Sequence, residues 1–186
     1  MRRVAVALVH HPVLDREGAV VTSAVTNLDV HDISRTCRTF GVSDYFVVHP
    51  IEAQRGLVDR IVTHWREGSS AARIPDRSEA LSVVRTVGSL ESAIGALGGR
   101  AAVEIWTTSA RAGSDRLPLD AARAALREPG KAVLVVLGTS WGLAPSVIAG
   151  GDRVLAPVLG APAAGGFNHL SVRSACAILL DRLLGP

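Results

Sequence analysis

The chain has 186 residues, of which 48% are hydrophobic and 20% are charged, a balance typical of a globular domain and not of a disordered chain. No apolar run reaches the roughly 18 residues of a membrane span, and the run after Arg3 is too short for a signal peptide, so we expect a cytoplasmic protein. The net charge of +3, carried almost entirely by arginine, favours a nucleic-acid partner only modestly.

Segments typical of strands and of helices alternate from one end of the chain to the other. Strands are predicted at residues 4–9, 45–48, 83–87, 101–107, 132–137 and 153–156. Helices are predicted at residues 27–40, 51–67, 89–97, 119–127, 145–149 and 168–184. This alternation predicts an α/β fold with a mostly parallel sheet, helices on both of its faces, and a single domain spanning residues 1–186.

The two cysteines lie within the first and the last of these helices. Cys37 and Cys176 both have apolar neighbours at helical spacing. Free cysteines are commonly buried in proteins of reducing compartments, so we expect two buried free thiols rather than a disulfide.

The first helix follows a loop, residues 10–26, that is long for a compact domain and is therefore a candidate functional loop. Asn27 is predicted to cap the helix. His31, Arg35 and Arg38 have the spacing i, i+4, i+7 and share one helix face. That face is either a solvated cationic surface or a contact surface for RNA phosphates.

Two short polar loops follow consecutive predicted strands, at residues 107–110 and 138–143. The carboxyl ends of parallel strands are where α/β proteins bind ligands, and small residues let a ligand approach the backbone. The same loops could equally be ordinary tight turns. Neither of the common glycine-rich phosphate motifs, G-x-x-x-x-G-K-[ST] or G-x-G-x-x-G after a strand, accompanies them.

A third polar region precedes and opens the last predicted helix, at residues 155–173. Asn168 is predicted to cap that helix, with His169 and Arg173 as i, i+4 neighbours in its first turns. Unpaired N–H groups at a helix start favour anions, although a lone histidine there is more often a surface residue. His10 and His11 are adjacent and lack further ligands, so no metal site is predicted.

These three regions, in this order, resemble the motifs of the SPOUT superfamily of S-adenosylmethionine (SAM)-dependent RNA methyltransferases, the SpoU and TrmD relatives. The quoted segments are residues 27–36, 137–143 and 155–172. The chain is also similar to a small bacterial family of SAM-dependent RNA methyltransferases with a Gly-Thr-x-Trp-Gly-Leu loop and a Tyr-Asn-His-Leu-Ser-Val-Arg segment. That similarity extends over nearly the whole chain.

The resemblance implies a trefoil knot in the C-terminal part, a homodimer, and a SAM pocket formed by the knotted loops, with S-adenosylhomocysteine as the product. The cofactor-binding residues that it implies are Thr108, Ser109, Ala110, Leu137, Gly138, Thr139, Trp141, Gly142, Leu143, Leu155, Pro157, Gly160, Asn168, His169 and Leu170. A side chain at Gly142 is expected to collide with a ligand that lies against the backbone, so Gly142→Val should abolish SAM binding.

The resemblance further implies that the substrate is tRNA or rRNA. Arg35 would bind a phosphate or help to activate the acceptor atom, and Asn27 would orient the same region. His169 is the predicted general base, because imidazole has an ordinary pKa near ~6.5, and Ser171 is counted with these catalytic candidates. The predicted RNA-binding residues are His31, Arg35, Arg38 and Arg173.

One departure from the SpoU pattern keeps an alternative open. SpoU enzymes carry a glutamate in the second motif, where this chain has Ser140 and Trp141. The alternative is a non-catalytic knotted protein that binds RNA or a nucleotide without transferring methyl groups. A nicotinamide-dependent dehydrogenase is disfavoured, because its glycine fingerprint is absent.

Overall fold

The sheet of this protein is wholly parallel and has six strands. The computed structural model describes residues 1–67, 73–111 and 113–186. The strands are β1 (Val4–Val9), β4 (Tyr45–Val48), β5 (Val84–Val87), β6 (Val103–Thr107), β7 (Ala132–Gly138) and β8 (Arg153–Val154). Their order is β5-β4-β1-β7-β6-β8, so β1 lies in the middle of the sheet. The predicted parallel sheet is confirmed.

Helices cover both faces of the sheet, as predicted, but unevenly. The helices are α1 (Asn27–Thr39), α2 (Glu52–Glu67), α3 (Pro75–Leu81), α4 (Leu90–Ala96), α5 (Leu119–Arg127), α6 (Pro145–Ala149) and α7 (Val172–Leu184). One core cluster joins α1, α2, α3, α5 and α7 to the sheet, and a smaller one joins α4 and α6. Among the described residues, no helix is long and apolar enough to cross a membrane.

Strand β1 organises both cores because all six of its residues are buried. Side chains alternate between the faces of a strand, so Val6 and Leu8 join the larger core while Ala7 and Val9 join the smaller one. Burial of an aliphatic side chain of this size contributes about 1.5–3 kcal/mol. The parallel register with β4 and β7 then fixes which loops meet at the carboxyl edge of the sheet.

A β-hairpin occupies the segment predicted as a long loop. Strands β2 (Val13–Leu14) and β3 (Val20–Val21) pair in antiparallel fashion. Val13 also forms an antiparallel bridge with Leu143, in the loop after β7. The hairpin is therefore attached to the second motif of the chain. Strands of two residues leave too little periodicity for prediction. Helix α3 was likewise not predicted.

The predicted caps of the first and last helices were wrong. Thr26 caps α1: its backbone is extended and its hydroxyl accepts from the Asp29 N–H at 3.2 Å, so Asn27 is the first helical residue. Helix α7 begins at Val172 rather than Asn168, and Ser171 caps it by accepting from the Ser174 N–H at 3.2 Å. The remaining boundaries agree with prediction to within about two residues.

The two cysteines connect the helices in which they were predicted. Cys37 in α1 and Cys176 in α7 are both buried and free, as expected. A hydrogen bond with Cys176 and then burial raise the pKa of the Cys37 thiol, so it stays protonated. The pair thus acts as part of the apolar contact between α1 and α7.

The trefoil knot stays a prediction of the family resemblance.

Candidate cofactor and RNA site

The three cofactor segments predicted from sequence follow strands that are neighbours in the sheet. They come after β6, β7 and β8, whose order is β7-β6-β8. Thr108 donates from its N–H and its hydroxyl to the Val136 carbonyl, at 3.1 and 3.0 Å, and the Leu155 N–H donates to the Thr107 carbonyl at 2.9 Å. The segments therefore lie side by side at the carboxyl edge, where ligands bind in this class of fold.

The loop after β7 turns back on itself very tightly. A Cβ on Gly138 would lie 2.6 Å from the Leu143 nitrogen and 2.9 Å from the Gly142 carbonyl carbon, so only glycine fits. Ser140 and Gly142 both adopt positive φ, +53° and +104°. Gly138 is thus the residue on which the shape of this loop depends.

Part of this loop is already paired with the hairpin, which sequence analysis did not anticipate. The Trp141 N–H donates to the Leu14 carbonyl at 3.0 Å, and the Leu14 N–H donates to the Gly142 carbonyl at 2.9 Å. These backbone groups are held by protein partners rather than turned toward a ligand. The hairpin therefore fixes the outer half of the loop, residues 141 and 142.

Gly142 has open space beside it. A Cβ built there meets no atom within 4 Å, so the described residues leave room for a ligand against this backbone. The backbone at Gly142 also changes the meaning of Gly142→Val, because a valine at φ +104° is strained even without a ligand. The substitution at Gly138 tests the shape of the loop itself, through a clash between backbone atoms and the new Cβ.

The third segment is a folded loop in which two arms touch. The Asn168 side-chain amide donates to the Val158 carbonyl at 3.0 Å. A Cβ on Gly160 would lie 2.8 Å from the Phe167 carbonyl oxygen. Asn168 therefore closes the loop instead of capping α7. Because His169 lies before α7, the predicted i, i+4 pairing of His169 with Arg173 on one helix was wrong.

The predicted cofactor residues divide by burial into two groups. The side chains of four are buried in the cores or beneath the loops, so that only their backbone could meet a ligand: Leu137, Thr139, Leu143 and Leu155. The others are half-buried or exposed: Thr108, Ser109, Ala110, Gly138, Trp141, Gly142, Pro157, Gly160, Asn168, His169 and Leu170.

Two aromatic side chains stand out on the surface of these loops. Trp141 is 60% exposed and Phe167 is 72% exposed, and Phe167 lies near His169 with ring centroids 6.4 Å apart. Exposed aromatic rings are costly in water and are common where planar rings stack. They are suited to contact a nucleobase or an adenine ring.

Arg35 is the predicted RNA-binding residue of α1 with the most available charge. It is exposed, and among the described residues no ion pair involves it. Arg38 instead pairs with Glu79 of α3. The His31 ring packs edge-on against Trp65, with centroids 5.7 Å apart, and burial and then Arg77 lower the His31 pKa, which favours its neutral form. Asn27 is exposed at the start of α1.

Arg173 joins α7 to the start of α1. Its Nη1 lies 2.7 Å from Asp29 Oδ1 and its Nε lies 3.6 Å from Asp32 Oδ2. The Asp29 side chain is almost fully buried, whereas that of Arg173 is partly exposed. The predicted phosphate contact by Arg173 would therefore have to share the guanidinium with two carboxylates.

We expect Arg173→Met to lower the free energy of unfolding by about 2 kcal/mol, because the Asp29 carboxylate would stay buried without its cation. Urea unfolding of the variant and of Arg123→Met measures this effect. Arg123 is a matched control, since its guanidinium donates to backbone oxygens of Gly185 and Pro186 and pairs with no buried side-chain carboxylate among the described residues. Equal stability losses in the two variants would contradict the role given to the ion pair.

A buried polar cluster lies beneath the loops and was missed by sequence analysis. His10 and His49 follow β1 and β4 and are 0% and 1% exposed, with ring centroids 5.3 Å apart. His10 Nδ1 lies 3.0 Å from Ser23 Oγ, which lies 2.5 Å from Thr139 Oγ1. His49 Nε2 lies 3.0 Å from the Ser23 carbonyl. The sequence signal for this cluster was the alternation of side chains along a strand, because both histidines continue the row of strand residues that faces the larger core.

Protonation of His10 is expected to destabilise the fold in acid. Burial is the main cause that lowers the pKa of His10 from 6.5 to about 4; His49 lowers it further, and Asp29 acts in the opposite direction. Between these values the unfolded chain binds more protons than the folded one. The free energy of unfolding should thus fall as the pH drops from 6.5 toward 4, by on the order of 3 kcal/mol.

Urea unfolding of the wild type and of His10→Asn, at about pH 7 and about pH 4.5, measures this contribution as the difference between their pH dependences. The wild type should lose more stability in acid than the variant, because the other titrating groups are common to both. Identical pH dependences would show that His10 does not titrate as described.

Solved structures of other proteins share the fold of this chain. A probable methyltransferase from Bordetella pertussis Tohama I matches with a TM-score of 0.65 and 17% identity, over 98% of this chain and 94% of that one. The TrmH/SpoU tRNA modifying enzyme of A. aeolicus matches with a TM-score of 0.59 and 12% identity, over 99% and 75%. The fold is that of the SpoU methyltransferases within the SPOUT class.

A family model described as SAM-dependent RNA methyltransferase matches residues 3–185, and the chain belongs to this family. It is 43% identical over 186 residues to a protein of Oleidesulfovibrio alaskensis (strain ATCC BAA-1058 / DSM 17464 / G20) named tRNA (guanine-N(1)-)-methyltransferase, covering 99% of this chain and 42% of that protein. An uncharacterized protein of Aquifex aeolicus (strain VF5) is 33% identical over 183 residues, covering 97% and 87%. The chain thus spans less than half of the first relative.

Proposed function

We propose that this chain binds SAM at the loops after β6, β7 and β8 and transfers a methyl group to a nucleotide of tRNA or rRNA. The observation that carries the proposal is the convergence of the three motif segments on one sheet edge in a chain whose family match covers residues 3–185. Methylation of RNA also favours the cytoplasm as the place of action.

The residues around the β7 loop are suited to hold the cofactor mainly through the backbone. Gly138 gives the loop its shape, the position beside Gly142 is open, and Thr108 to Ala110 follow the neighbouring strand β6. Trp141, Leu170 and the loop from Leu155 to Gly160 would enclose the adenosine and methionine parts. SAM supplies a methyl group on a sulfonium, which is electrophilic without further activation.

The remaining residues would bind and orient the acceptor. Arg35 presents an exposed guanidinium that suits an RNA phosphate, and Asn27 lies two turns before it in α1. His169 is an exposed imidazole that could remove the acceptor proton, and Ser171 lies at the cap of α7. His31, Arg38 and Arg173 would add to RNA binding only to the extent that their present partners release them.

The partners that we propose are an RNA and a second copy of this chain. The name of the relatives points to tRNA and to guanine N1 as the first acceptor to test, with a ribose oxygen as the other. A dimer would bring residues of both subunits to one site, as the SPOUT resemblance implies.

Calorimetric titration with SAM, S-adenosylhomocysteine and NAD tests the proposal. We expect saturable binding of the first two, near one molecule per subunit, and none of NAD. A radiolabelled methyl group should then appear in RNA from one of the pools supplied, including unmodified tRNA and rRNA. RNA binding without SAM binding or labelling, in the presence or absence of RNA, would instead identify a non-catalytic binding protein.

A further inference from the structure

The buried cluster beneath the β7 loop forms a continuous hydrogen-bonded chain. It runs from the His10 ring through the Ser23 hydroxyl to the Thr139 hydroxyl, which lies 3.2 Å from the Val9 carbonyl. These residues are 116 positions apart at the Ser23–Thr139 contact. The chain therefore joins the end of β1, the segment before α1 and the second motif.

The direction of the hydrogen bonds follows from the acceptor at the end of the chain. A carbonyl only accepts, so Thr139 donates to Val9, Ser23 donates to Thr139, and the ring of His10 donates from Nδ1 to Ser23. His10 Nε2 is then an unprotonated acceptor, and it is buried without a partner among the described residues. The opposite direction would leave a buried N–H unpaired, which is the costlier arrangement.

Thr139 connects this hydrogen-bonded network to the backbone of the loop. It directly follows Gly138, its N–H donates to the Val9 carbonyl at 3.2 Å, and its own carbonyl accepts from the Gly142 N–H at 3.0 Å. The Ser23 N–H in turn donates to the His10 carbonyl at 2.9 Å. Residues 138 and 139 of the loop are thus held by this hydrogen-bonded network, just as the hairpin holds residues 141 and 142.

We propose that His10 and Ser23 are positioning residues that hold Thr139, and through it the loop of residues 138–143, in the shape that binds SAM. This inference rests on the proposed function, since it concerns the affinity of the same site. His10 does not touch the cofactor: it is fully buried and acts through two hydroxyl groups. Its neutral imidazole supplies the donor that orders both.

The test uses matched substitutions at Thr139 in the full chain. Thr139→Val keeps the shape of the side chain and removes the hydroxyl, whereas Thr139→Ser keeps the hydroxyl. We expect the Kd for SAM to rise about tenfold in the valine variant and to stay within about twofold in the serine variant. Ser23→Ala should raise the Kd to a similar extent, and the double variant Ser23→Ala/Thr139→Val should bind no more weakly than either single one.

A nitrogen-15 NMR spectrum of the histidines tests the direction of the hydrogen bonds independently of SAM binding. In the wild type we expect His10 to carry its proton on Nδ1 and not on Nε2. A proton on Nε2 overturns the inference, because the chain would then run the other way. Chemical unfolding of each variant separates lost stability from lost affinity.

The outcomes distinguish this inference from the proposed function. If the wild type binds SAM and the valine and serine variants bind it equally well, the positioning role is wrong and the proposed function stands. Additive losses from Ser23→Ala and Thr139→Val also overturn the role, because they would act independently. If the folded wild type does not bind SAM with or without RNA, the proposed function itself fails, and no affinity remains for these residues to set.

Discussion

Gly138→Ala is expected to weaken SAM binding by about a thousandfold or more, to below detection by calorimetry. The new Cβ would lie 2.6 Å from the Leu143 nitrogen and 2.9 Å from the Gly142 carbonyl carbon. Both are backbone atoms, which cannot rotate away as a flexible side chain could. The loop would have to open, and the space beside Gly142 would change shape. Overpacking of this kind also costs about 1–3 kcal/mol of stability.

Gly95→Ala is the matched control, because a Cβ on that exposed helical glycine of α4 meets no atom within 4 Å. It should bind SAM like the wild type and be equally or slightly more stable, by up to about 1 kcal/mol. Unfolding curves of both variants show whether Gly138→Ala is folded under the conditions of the titration. A folded Gly138→Ala protein that binds SAM with wild-type affinity would remove this loop from the proposed site.

The arrangement of the sheet edge could be predicted because its determinants are local. The continuous apolar runs of β1 and β7 indicate buried parallel strands, and the small polar residues that follow β6 and β7 indicate loops. Those two features place the segments after β6 and β7 at the carboxyl edge without any knowledge of long-range contacts. Only the family resemblance extended this to a cofactor and a reaction.

The parts that could not be predicted depend on contacts between distant segments. Arg173 pairs with Asp29 across 144 positions, and Ser23 bonds Thr139 across 116. Helical spacing indicates that Arg173 lies on a polar helix face, but it does not reveal that a distant carboxylate pairs with its guanidinium. The start of α7 was predicted wrongly for a different reason, because Asn168 and Ser171 are both residue types that cap helices well. In the structure Gly165 and Gly166, which have positive φ, belong to a loop in which the Asn168 side chain bonds the backbone.

The β7 loop and the third segment of the candidate site differ in their contacts with the rest of the protein. The β7 loop is fixed by the hairpin on its outer side and by Thr139 on its inner side. The third segment instead carries its largest side chain, Phe167, in solvent. Under the proposed function, the paired β7 loop would bind the cofactor and the exposed third segment would admit a nucleotide.

Arg35→Ala is expected to lower the rate of RNA methylation by about a thousandfold while the Kd for SAM stays unchanged. Arg35 is exposed on α1, is not among the predicted cofactor-binding residues, and pairs with no described carboxylate. Its guanidinium is thus available to a phosphate or to the acceptor group, and its removal would leave the cofactor pocket intact. Single-turnover labelling of a responsive RNA, together with calorimetry, measures both effects.

Arg38→Ala is the matched control on the same helix face. Glu79 already occupies the Arg38 guanidinium, and an exposed pair of this kind contributes little, so the rate should change by about threefold or less. Arg35→Lys should recover only part of the rate, because lysine keeps the charge but lacks the bidentate geometry of arginine. Normal turnover in Arg35→Ala would contradict the role given to Arg35. Equal losses in Arg35→Ala and Arg38→Ala would show that the face contributes general charge rather than a specific contact.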